Sequence, residues 1–498
     1  MKQSLTKTVF LLVNSFFILV YVFLMLLIQS HTLLIDNQSL MTINGIGGYL
    51  FLFWMFYTHK KLKDEFISFY IVFMVIMIVF TYSQSLLYPF NRISETKNLL
   101  NIVTEVSLIS AQAYTLLSYF IIHFGALITF NKVNYNKIMI KDDNTALKSL
   151  FITGLLLFFI SLPAFIVNVY TLSSVVSSYG YRALFGYDGI QYVNHSLLVR
   201  VLLSVEGFFI PSLLLLYIGS PNKNYKKASL ILFTVYILVT LFIGGRSDAA
   251  VLVASIGLLM YYRGLKINKR KLIYYGIILY LFLSILPVIA IIRDQANRTF
   301  FDYFVLYFSN LGNTDLLSEL FSELGGSMFP VIKVMEKVPI LEPYNLGKSY
   351  YYGVLSIVPN LGFWDIHPSQ IYANGSSWLM NVLNLNYGPG FSMQAEVFWN
   401  FGWFGLILFV PIGLLLGKVF GSISKKKYNI VALSMMLIIF SETVLVVRGE
   451  ILTLTRPLFY TVLPIYILFS IIQKSNVSTT KANRIKLKKD FYEYNKQI

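Results

Sequence analysis

Cysteine is absent from the 498 residues of this chain, and charged residues make up only 13% of them. The first absence excludes disulfides, thiolate metal sites and a catalytic thiol. The second argues against an ordinary soluble protein, in which about 25% of the residues are charged. Apolar residues account for 56% of the chain, and its mean hydropathy is +0.67. Polar side chains are therefore too scarce to cover soluble domains of this total length.

Hydrophobic runs recur along the whole chain, each with the length of about 20 residues that a helix needs to cross a bilayer. They predict an all-α fold class, namely a polytopic transmembrane helical protein with about 12 spans. The predicted spans are 8–29, 41–58, 66–88, 102–130, 149–172, 195–219, 228–244, 247–262, 272–292, 401–420, 429–447 and 457–473. The first run is long for a signal-peptide core and lacks a small-residue cleavage site, so we expect it to remain as a helix.

Lysine is concentrated in alternate connections and at both ends of the chain. The lysine-rich segments are 1–7, 59–65, 131–148, 220–227, 263–271, 424–428 and 474–498. With twelve spans all seven lie on one face, which the positive-inside rule assigns to the cytoplasm. We therefore expect a multi-pass protein of the cytoplasmic (inner) membrane with both termini in the cytoplasm. Short basic clusters of this kind contact anionic membrane lipids, and they do not form a nucleic-acid-binding surface.

The predicted spans divide the chain into four parts. Residues 1–292 form spans one to nine, 293–400 a long external loop, 401–473 spans ten to twelve, and 474–498 a basic cytoplasmic tail. Long loops are usually functional. Within this one, 300–308 and 316–324 have the pattern of short amphipathic helices. We expect the loop to form a cap over a groove at the outer leaflet.

Arginine is distributed in the opposite way from lysine. Eight arginines are expected on the outer side, namely Arg92, Arg182, Arg200, Arg246, Arg293, Arg298, Arg448 and Arg456. A guanidinium group binds phosphate or carboxylate oxygens with a fixed fork of donors. The excess therefore indicates an anionic ligand at the outer leaflet. The competing interpretation is that each arginine pairs with a nearby acid, as Arg246 does if it reaches Asp248.

Several motifs that carry common chemistries are missing. The chain has no Walker motif, no Gly-x-Gly-x-x-Gly after a strand, no His-Glu-x-x-His and no acidic cluster spaced for a metal. Their absence argues against an ATP-driven pump and against a nucleotide-sugar transferase on the cytoplasmic side. We expect no cofactor and no metal site.

Two stretches resemble bacterial Wzy-type polymerases, which join lipid-linked oligosaccharide repeat units outside the membrane. The first is Phe242-Ile-Gly-Gly-Arg-Ser-Asp248, at the outer mouth of a span. The second is 388–405, which begins with Gly-Pro-Gly and continues through Glu396 to Asn400-Phe-Gly402. The layout is similar as well, with a long external loop before the last few spans. The resemblance covers 200–460.

This resemblance implies a metal-independent glycosyltransferase. The donor would be an oligosaccharide on a polyprenyl pyrophosphate, usually undecaprenyl pyrophosphate, and its partners would include a chain-length regulator and a flippase. A hydroxyl of the acceptor unit attacks the anomeric carbon of the donor, and the lipid pyrophosphate leaves. Arginines fixed at the membrane surface would stabilise the charge that grows on this leaving group.

The candidate site residues follow from this chemistry. Substrate binding is assigned to Arg246, Arg293, Arg298, Arg448 and Arg456, and to Trp364 and Trp378, whose rings could stack on sugars. Glu396 and His367 are the candidate bases. The competing interpretations are that Glu396 stabilises a helix start, that His367 is solvated and that the arginines contact lipid headgroups. Glu206 and Glu442 lie within predicted spans. Placing a carboxyl group inside a membrane costs free energy, so these two residues are candidates for a functional role.

Two other functions fit the same features. An O-antigen-ligase-like transferase would use the same donor with a different acceptor, and the sequence barely distinguishes the two enzymes. A flippase or secondary transporter for lipid-linked oligosaccharide usually has two similar halves around a charged cavity. No such repeat is evident here, which favours the enzyme.

Overall fold

The structure is a computed structural model that describes residues 2–29, 35–130, 144–185, 204–263, 269–292, 299–310, 316–424 and 428–477. Every regular element within these ranges is helical. Within the described ranges, nine α-helices precede the long loop. They are α1 (Lys2–Gln29), α2 (Asn37–Lys63), α3 (Phe69–Leu87), α4 (Glu105–Thr129), α5 (Asn144–Tyr179), α6 (Phe209–Gly219), α7 (Lys223–Ile243), α8 (Arg246–Tyr262) and α9 (Lys269–Ile292).

Six short helices follow in the loop and four more in the last part of the chain. The loop contains α10 (Phe300–Asn310), α11 (Leu316–Gly325), α12 (Phe329–Lys337), α13 (Lys348–Leu355), α14 (Pro368–Tyr372) and α15 (Gly375–Val382). The last part contains α16 (Met393–Phe401), α17 (Phe409–Phe420), α18 (Ile430–Thr443) and α19 (Leu452–Pro457). Helices α10 and α11 lie where the two amphipathic helices were predicted. Helical structure joins α16 to α17 and extends α19 to Val477.

Nine helices of the described ranges are long and apolar enough to cross a membrane. They are Leu5–Leu27, Asn37–Lys63, Phe69–Phe90, Glu105–Thr129, Asn144–Tyr179, Lys223–Ile243, Met393–Phe420, Ile430–Arg448 and Leu452–Val477. The protein is therefore a multi-pass membrane protein, and these nine match predicted spans one to five, seven, and ten to twelve.

The other three predicted spans correspond to shorter apolar elements. Of the sixth, α6 and the turn before it are described, and 186–203 lie outside the described residues. The eighth is α8, with 17 residues, and the ninth is α9, whose apolar stretch is Gly276–Ile289. In all three, the apolar stretch within the described residues is shorter than the about 20 residues that cross a bilayer core about 30 Å thick.

Small residues let pairs of long helices pack at short range. Helix α4 lies along α17, where a Cβ on Gly413 would collide with the carbonyl of Ile122, and one on Gly125 would collide with α17. Helix α5 lies along α6 in the same way, with Gly154 against Leu216. Close backbone approach at small residues is the usual way that helices associate in lipid, where hydrophobic burial drives little.

The loop helices pack on one end of the bundle, which we call the loop end. Helix α11 lies on α3, because the Ser83 hydroxyl donates to the Phe321 carbonyl at 2.6 Å and the Gln84 amide donates to the Ser322 carbonyl at 3.1 Å. The backbone N–H of Ser94 in turn donates to the Ser322 hydroxyl at 3.0 Å. The described part of the loop is therefore fixed to the bundle.

The predicted boundary between the loop and span ten differs from the observed one. Helix α16 begins at Met393, after the cap residue Ser392, whose hydroxyl accepts from the N–H of Ala395. The sequence prediction started this span at 401. Residues 393–400 are therefore helical, and Glu396 lies in the first turn of the helix.

Candidate functional site

The first matched motif is a tight turn between α7 and α8. Gly244 has a left-handed conformation with φ of +111°, and its N–H and that of Gly245 both donate to the Thr240 carbonyl, at 3.1 and 2.9 Å. A Cβ on Gly244 would meet the ring of Tyr181 at 2.7 Å. Glycine is therefore required here by both conformation and space. The turn places Arg246, Ser247 and Asp248 in the first turn of α8, at the loop end.

Arg246 is buried and paired with an acid from the loop. Its Nη2 lies 2.7 Å from Oε1 of Glu323 on α11, and its Nη1 donates to the Leu286 carbonyl of α9 at 3.3 Å. The two side chains are only 11% and 12% exposed. Nε of Arg246 and Oε2 of Glu323 are buried without a hydrogen-bond partner. The partner of Arg246 is thus Glu323 on the loop helix, and three elements meet at this guanidinium.

Arg448 lies just after α18, in the 3-10 helix Val444–Arg448, and it contacts the same start of α8. Its Nη1 donates to the hydroxyl of Ser247 at 2.9 Å, and its guanidinium lies 4.8 Å from the centre of the Phe80 ring. The side chain is exposed. Arg246 and Arg448 therefore converge on neighbouring residues of α8, one buried and one exposed.

A cavity of about 500 Å³ opens beside this helix start, between α5, α6, α7, α8 and α18. Its walls carry three carboxyl groups, those of Glu206, Asp248 and Glu442. The rings of Phe165, Tyr181, Phe185 and Tyr236 supply much of the remaining wall. We call this space the acidic cavity. Its volume lies within the ~300–1,000 Å³ range that is usual for small-molecule sites.

The second matched motif touches the wall of the acidic cavity. The N–H of Gly388 donates to the carbonyl of Phe185 at 3.1 Å, and the guanidinium of Arg182 lies 5.0 Å from the centre of the Tyr387 ring. The Gly-Pro-Gly turn is itself held by Ser376, whose hydroxyl accepts from the N–H of Gly390 at 3.1 Å. The fold thus brings the first residue of the second motif to Phe185, a wall residue of the cavity that the first motif lines through Gly245 and Asp248.

Glu396 lies elsewhere, at a junction between the loop and the last spans. One carboxylate oxygen accepts from the Ser349 hydroxyl at 2.6 Å, and the other accepts from the N–H of Ile451 at 2.9 Å. Asn400 donates to the Ser349 hydroxyl and accepts from the N–H of Gly347, both at 2.8 Å. Glu396 is 2% exposed and does not line the acidic cavity. This geometry favours a structural role over that of the predicted base.

His367 caps a short helix. Its Nδ1 accepts from the N–H of Ser369 at 3.1 Å, so the proton is on Nε2, which lies 3.0 Å from the carbonyl of Val358. The ring is buried, with the indole of Trp364 at 4.8 Å between ring centres. Both nitrogens are therefore occupied within α14 and its flanking turn, away from the residues that line the acidic cavity.

The remaining predicted binding residues are dispersed. Trp378 stacks on the buried Trp399 at 4.7 Å between ring centres, so Trp399 covers one face of the Trp378 indole. Arg456 is exposed on α19. Arg293 and Arg298 lie outside the described residues.

Glu450 is a further buried acid at the loop end, in the turn between α18 and α19. Glu450 is only 8% exposed. Burial disfavours the charged form and raises the pKa of Glu450 to about 7.

A family model described as O-antigen polysaccharide polymerase Wzy matches residues 10–481. The chain belongs to this family. No curated protein and no solved structure matches it. The Wzy assignment covers nearly the whole chain, far beyond the two motifs, and it makes the protein a glycosyltransferase-type polymerase of O-antigen repeat units. Its substrate is accordingly a lipid-linked oligosaccharide.

In this Wzy protein the sequence analysis did not single out two residues that the fold places at the site. Asp248 was considered only as a partner for Arg246, and Glu323 was not considered. Glu206 and Glu442 were singled out because carboxyl groups are rare in membrane helices, and the fold brings them to the cavity that Asp248 lines. The same signal could have identified Asp248, which starts an apolar helix.

The arrangement separates two kinds of chemistry in the Wzy site. The exposed Arg448 offers hydrogen-bond donors and positive charge to phosphate oxygens. The acidic cavity offers carboxyl groups and ring faces, and its lining within the described ranges contains neither lysine nor arginine. An anionic group therefore fits the arginine side of α8, and a neutral polar group fits the cavity side.

Proposed function

We propose that this Wzy protein polymerises polyprenyl-pyrophosphate-linked repeat units, with undecaprenyl pyrophosphate as the usual carrier, at the outer face of the bacterial cytoplasmic membrane. The observation that carries the proposal is the hydrogen bond from Arg448 to Ser247, since it sets an exposed guanidinium at the residue between Arg246 and Asp248, and Asp248 lines the acidic cavity. The pyrophosphate binds at Arg448, and Arg246 adds positive charge beneath it. Arg293, Arg298 and Arg456 are assigned to the same binding role from the sequence alone.

The orientation follows from the lysine distribution. We propose twelve spans, with α6, α8 and α9 completing the nine long helices, and with both termini in the cytoplasm. The seven lysine-rich segments support this topology through the positive-inside rule. The loop end is then the outer face, and the loop segment 293–392 forms the external cap. The lysines of the other end contact anionic lipid headgroups.

A lateral groove supports a lipid-linked donor. Helices α7, α9 and α10 enclose an apolar groove of about 250 Å³ lined by residues such as Phe242, Ile285 and Phe308. Phe242 precedes the glycine turn that leads to Arg246, and Ile285 precedes Leu286, whose carbonyl Arg246 contacts. A polyprenyl chain lying in this groove would carry its pyrophosphate to the arginines.

The chemistry that we propose uses no metal ion. Negative charge grows on the leaving pyrophosphate as its bond to the anomeric carbon breaks, and guanidinium groups held in place by the fold stabilise that charge. Arg246 is held by Glu323 and Leu286, and Arg448 by Ser247. Their positions require no rearrangement during the reaction.

A flippase that delivers the lipid-linked units and a chain-length regulator are the proposed partners. The proposal predicts that a deletion strain accumulates single repeat units on lipid, because no other step consumes them. Accumulation of long chains on lipid in that strain would instead indicate a ligase.

Reporter fusions at Asn345 should report the outside and fusions at Lys227 the cytoplasm, and the reverse result would overturn the orientation.

A further inference from the structure

The acidic cavity has a lining that pyrophosphate binding does not explain. Among the residues that the structure describes, three carboxyl groups line this space and no lysine or arginine does. Carboxyl groups give an anionic ligand no positive charge to bind, and they accept hydrogen bonds from a neutral ligand that carries donors. The pyrophosphate therefore stays outside the cavity, at Arg448, and the cavity takes another part of the substrate.

The carboxyl groups are spread over separate walls. Glu206 comes from the 3-10 turn before α6, Asp248 from the first turn of α8 and Glu442 from the end of α18. Among the residues that the structure describes, no three His, Cys, Asp or Glu side chains are grouped to hold one metal ion. The three groups consequently address different atoms of a ligand larger than an ion.

Aromatic rings occupy two further walls. The rings of Phe165 and Tyr236 are 5.5 Å apart in a stacked arrangement, and those of Tyr181 and Phe185 are 5.3 Å apart, edge to face. Ring faces pack against the apolar C–H faces of sugars, while carboxyl groups bind sugar hydroxyls. A cavity of about 500 Å³ that combines both features suits a saccharide.

We propose that the acidic cavity binds the terminal sugar of the acceptor repeat unit and that Asp248 is the catalytic base. This inference rests on the proposed function for the identity of the donor. The Asp248 carboxylate takes the proton of the attacking hydroxyl, whose oxygen bonds to the anomeric carbon of the donor. The bond from that carbon to the pyrophosphate oxygen breaks, and the lipid pyrophosphate leaves with the electron pair.

Position selects Asp248 from the three acids. It lines the acidic cavity, and it directly follows Ser247, to which Arg448 donates. A hydroxyl at Asp248 therefore lies next to the place where a pyrophosphate on Arg448 would leave. Glu206 and Glu442 line the same cavity from other elements and bind other hydroxyls of the same sugar.

The first test measures binding to purified protein in detergent with two probes. One is the lipid-free repeat-unit oligosaccharide, released by mild acid from the precursor of the same strain, and the other is inorganic pyrophosphate. Glu206→Gln and Glu442→Gln should weaken oligosaccharide binding by about tenfold or more and leave pyrophosphate binding unchanged. Asp248→Asn should lower turnover by about a hundredfold, well beyond its effect on binding. The exposed Glu95 provides the control variant Glu95→Gln, which should change neither probe.

A second variant fills space in the acidic cavity and keeps all three carboxyl groups. Val239→Trp places a large ring in the acidic cavity, whereas Ile231→Trp on the exposed face of the same helix is the matched control. Oligosaccharide binding should be lost in the first and kept in the second. Binding within twofold of the unmodified protein in Val239→Trp and in all three acid variants would overturn the inference.

The two probes separate this inference from the proposed function. Loss of pyrophosphate binding in Arg448→Lys, together with loss of oligosaccharide binding in the cavity variants, supports both. Pyrophosphate binding that survives Arg448→Lys while the cavity variants lose the oligosaccharide overturns the donor site and supports the cavity. The opposite pattern supports the donor site and overturns the cavity.

Discussion

Arg448 donates a hydrogen bond of 2.9 Å to the hydroxyl of Ser247, the residue that follows Arg246. Two arginines from distant parts of the chain thereby meet at one helix start. They differ in their surroundings, because Arg246 is buried against Glu323 and Arg448 is exposed. The exposed arginine is the one that a substrate reaches first.

The first prediction concerns Arg448→Lys. A lysine keeps the charge and loses the planar fork that holds Ser247 and phosphate oxygens together. Polymer output should fall by at least about tenfold, as for the loss of one fixed donor to a developing anion, while protein level holds. The control is Arg270→Lys at the opposite end of the bundle, where output should not change. Unchanged polymer length and amount in Arg448→Lys would count against a phosphate-binding role.

The second prediction uses the buried pair of Arg246 and Glu323. Removing either partner leaves a buried charge uncompensated, so Glu323→Ala should cost about 3 kcal/mol or more of stability. A double variant, Arg246→Met with Glu323→Leu, should recover most of the thermal stability in detergent, because it removes both charges. Polymer output should stay low in the double variant, since the positive charge under the pyrophosphate is gone. Normal output there would assign Arg246 a purely structural role.

The third prediction separates structure from catalysis at Glu396. Glu396→Gln replaces one acceptor oxygen with a donor that faces either Ser349 or the N–H of Ile451. Ser349→Ala breaks the same junction without touching the carboxyl group. Both variants should lose about 1–3 kcal/mol of stability and lower output in parallel with folded protein. A fully stable Glu396→Gln protein with no activity would make Glu396 the base after all.

The fourth prediction concerns pH and Glu450, whose pKa burial raises to about 7. Between the usual glutamate pKa and 7 the unfolded chain releases its proton and the folded protein keeps it. Stability should therefore fall as pH rises through this window and level off above it. Glu450→Gln should remove this part of the pH dependence. Thermal stability in detergent, compared for the two proteins from about pH 5 to pH 8, measures the difference. Parallel curves would show that Glu450 is not buried.

Hydrophobic length predicted the helices well, because it is a local property of the chain. Nine long helices lie on predicted spans, and the glycine turn before Arg246 is where the motif put it. Pairing across the fold was not predictable in this way. Arg246 pairs with Glu323 and not with its near neighbour Asp248, and Glu396 is held by Ser349 and Ile451, which are 47 and 55 residues away. Such contacts depend on how the loop packs, which no local pattern encodes.

The hydrogen bond from Gly388 to the Phe185 carbonyl joins two backbone segments of the chain, so it depends on the spacing of the backbone and on no side chain. Substitutions along the Gly-Pro-Gly turn can leave this hydrogen bond intact. An added or deleted residue would instead shift Phe185 in the wall of the acidic cavity. Polymerases that handle differently shaped repeat units would then diverge here by the number of residues in the turn more than by their identity. Under the proposed role of the acidic cavity, the length of this turn therefore affects which glycan the cavity accepts.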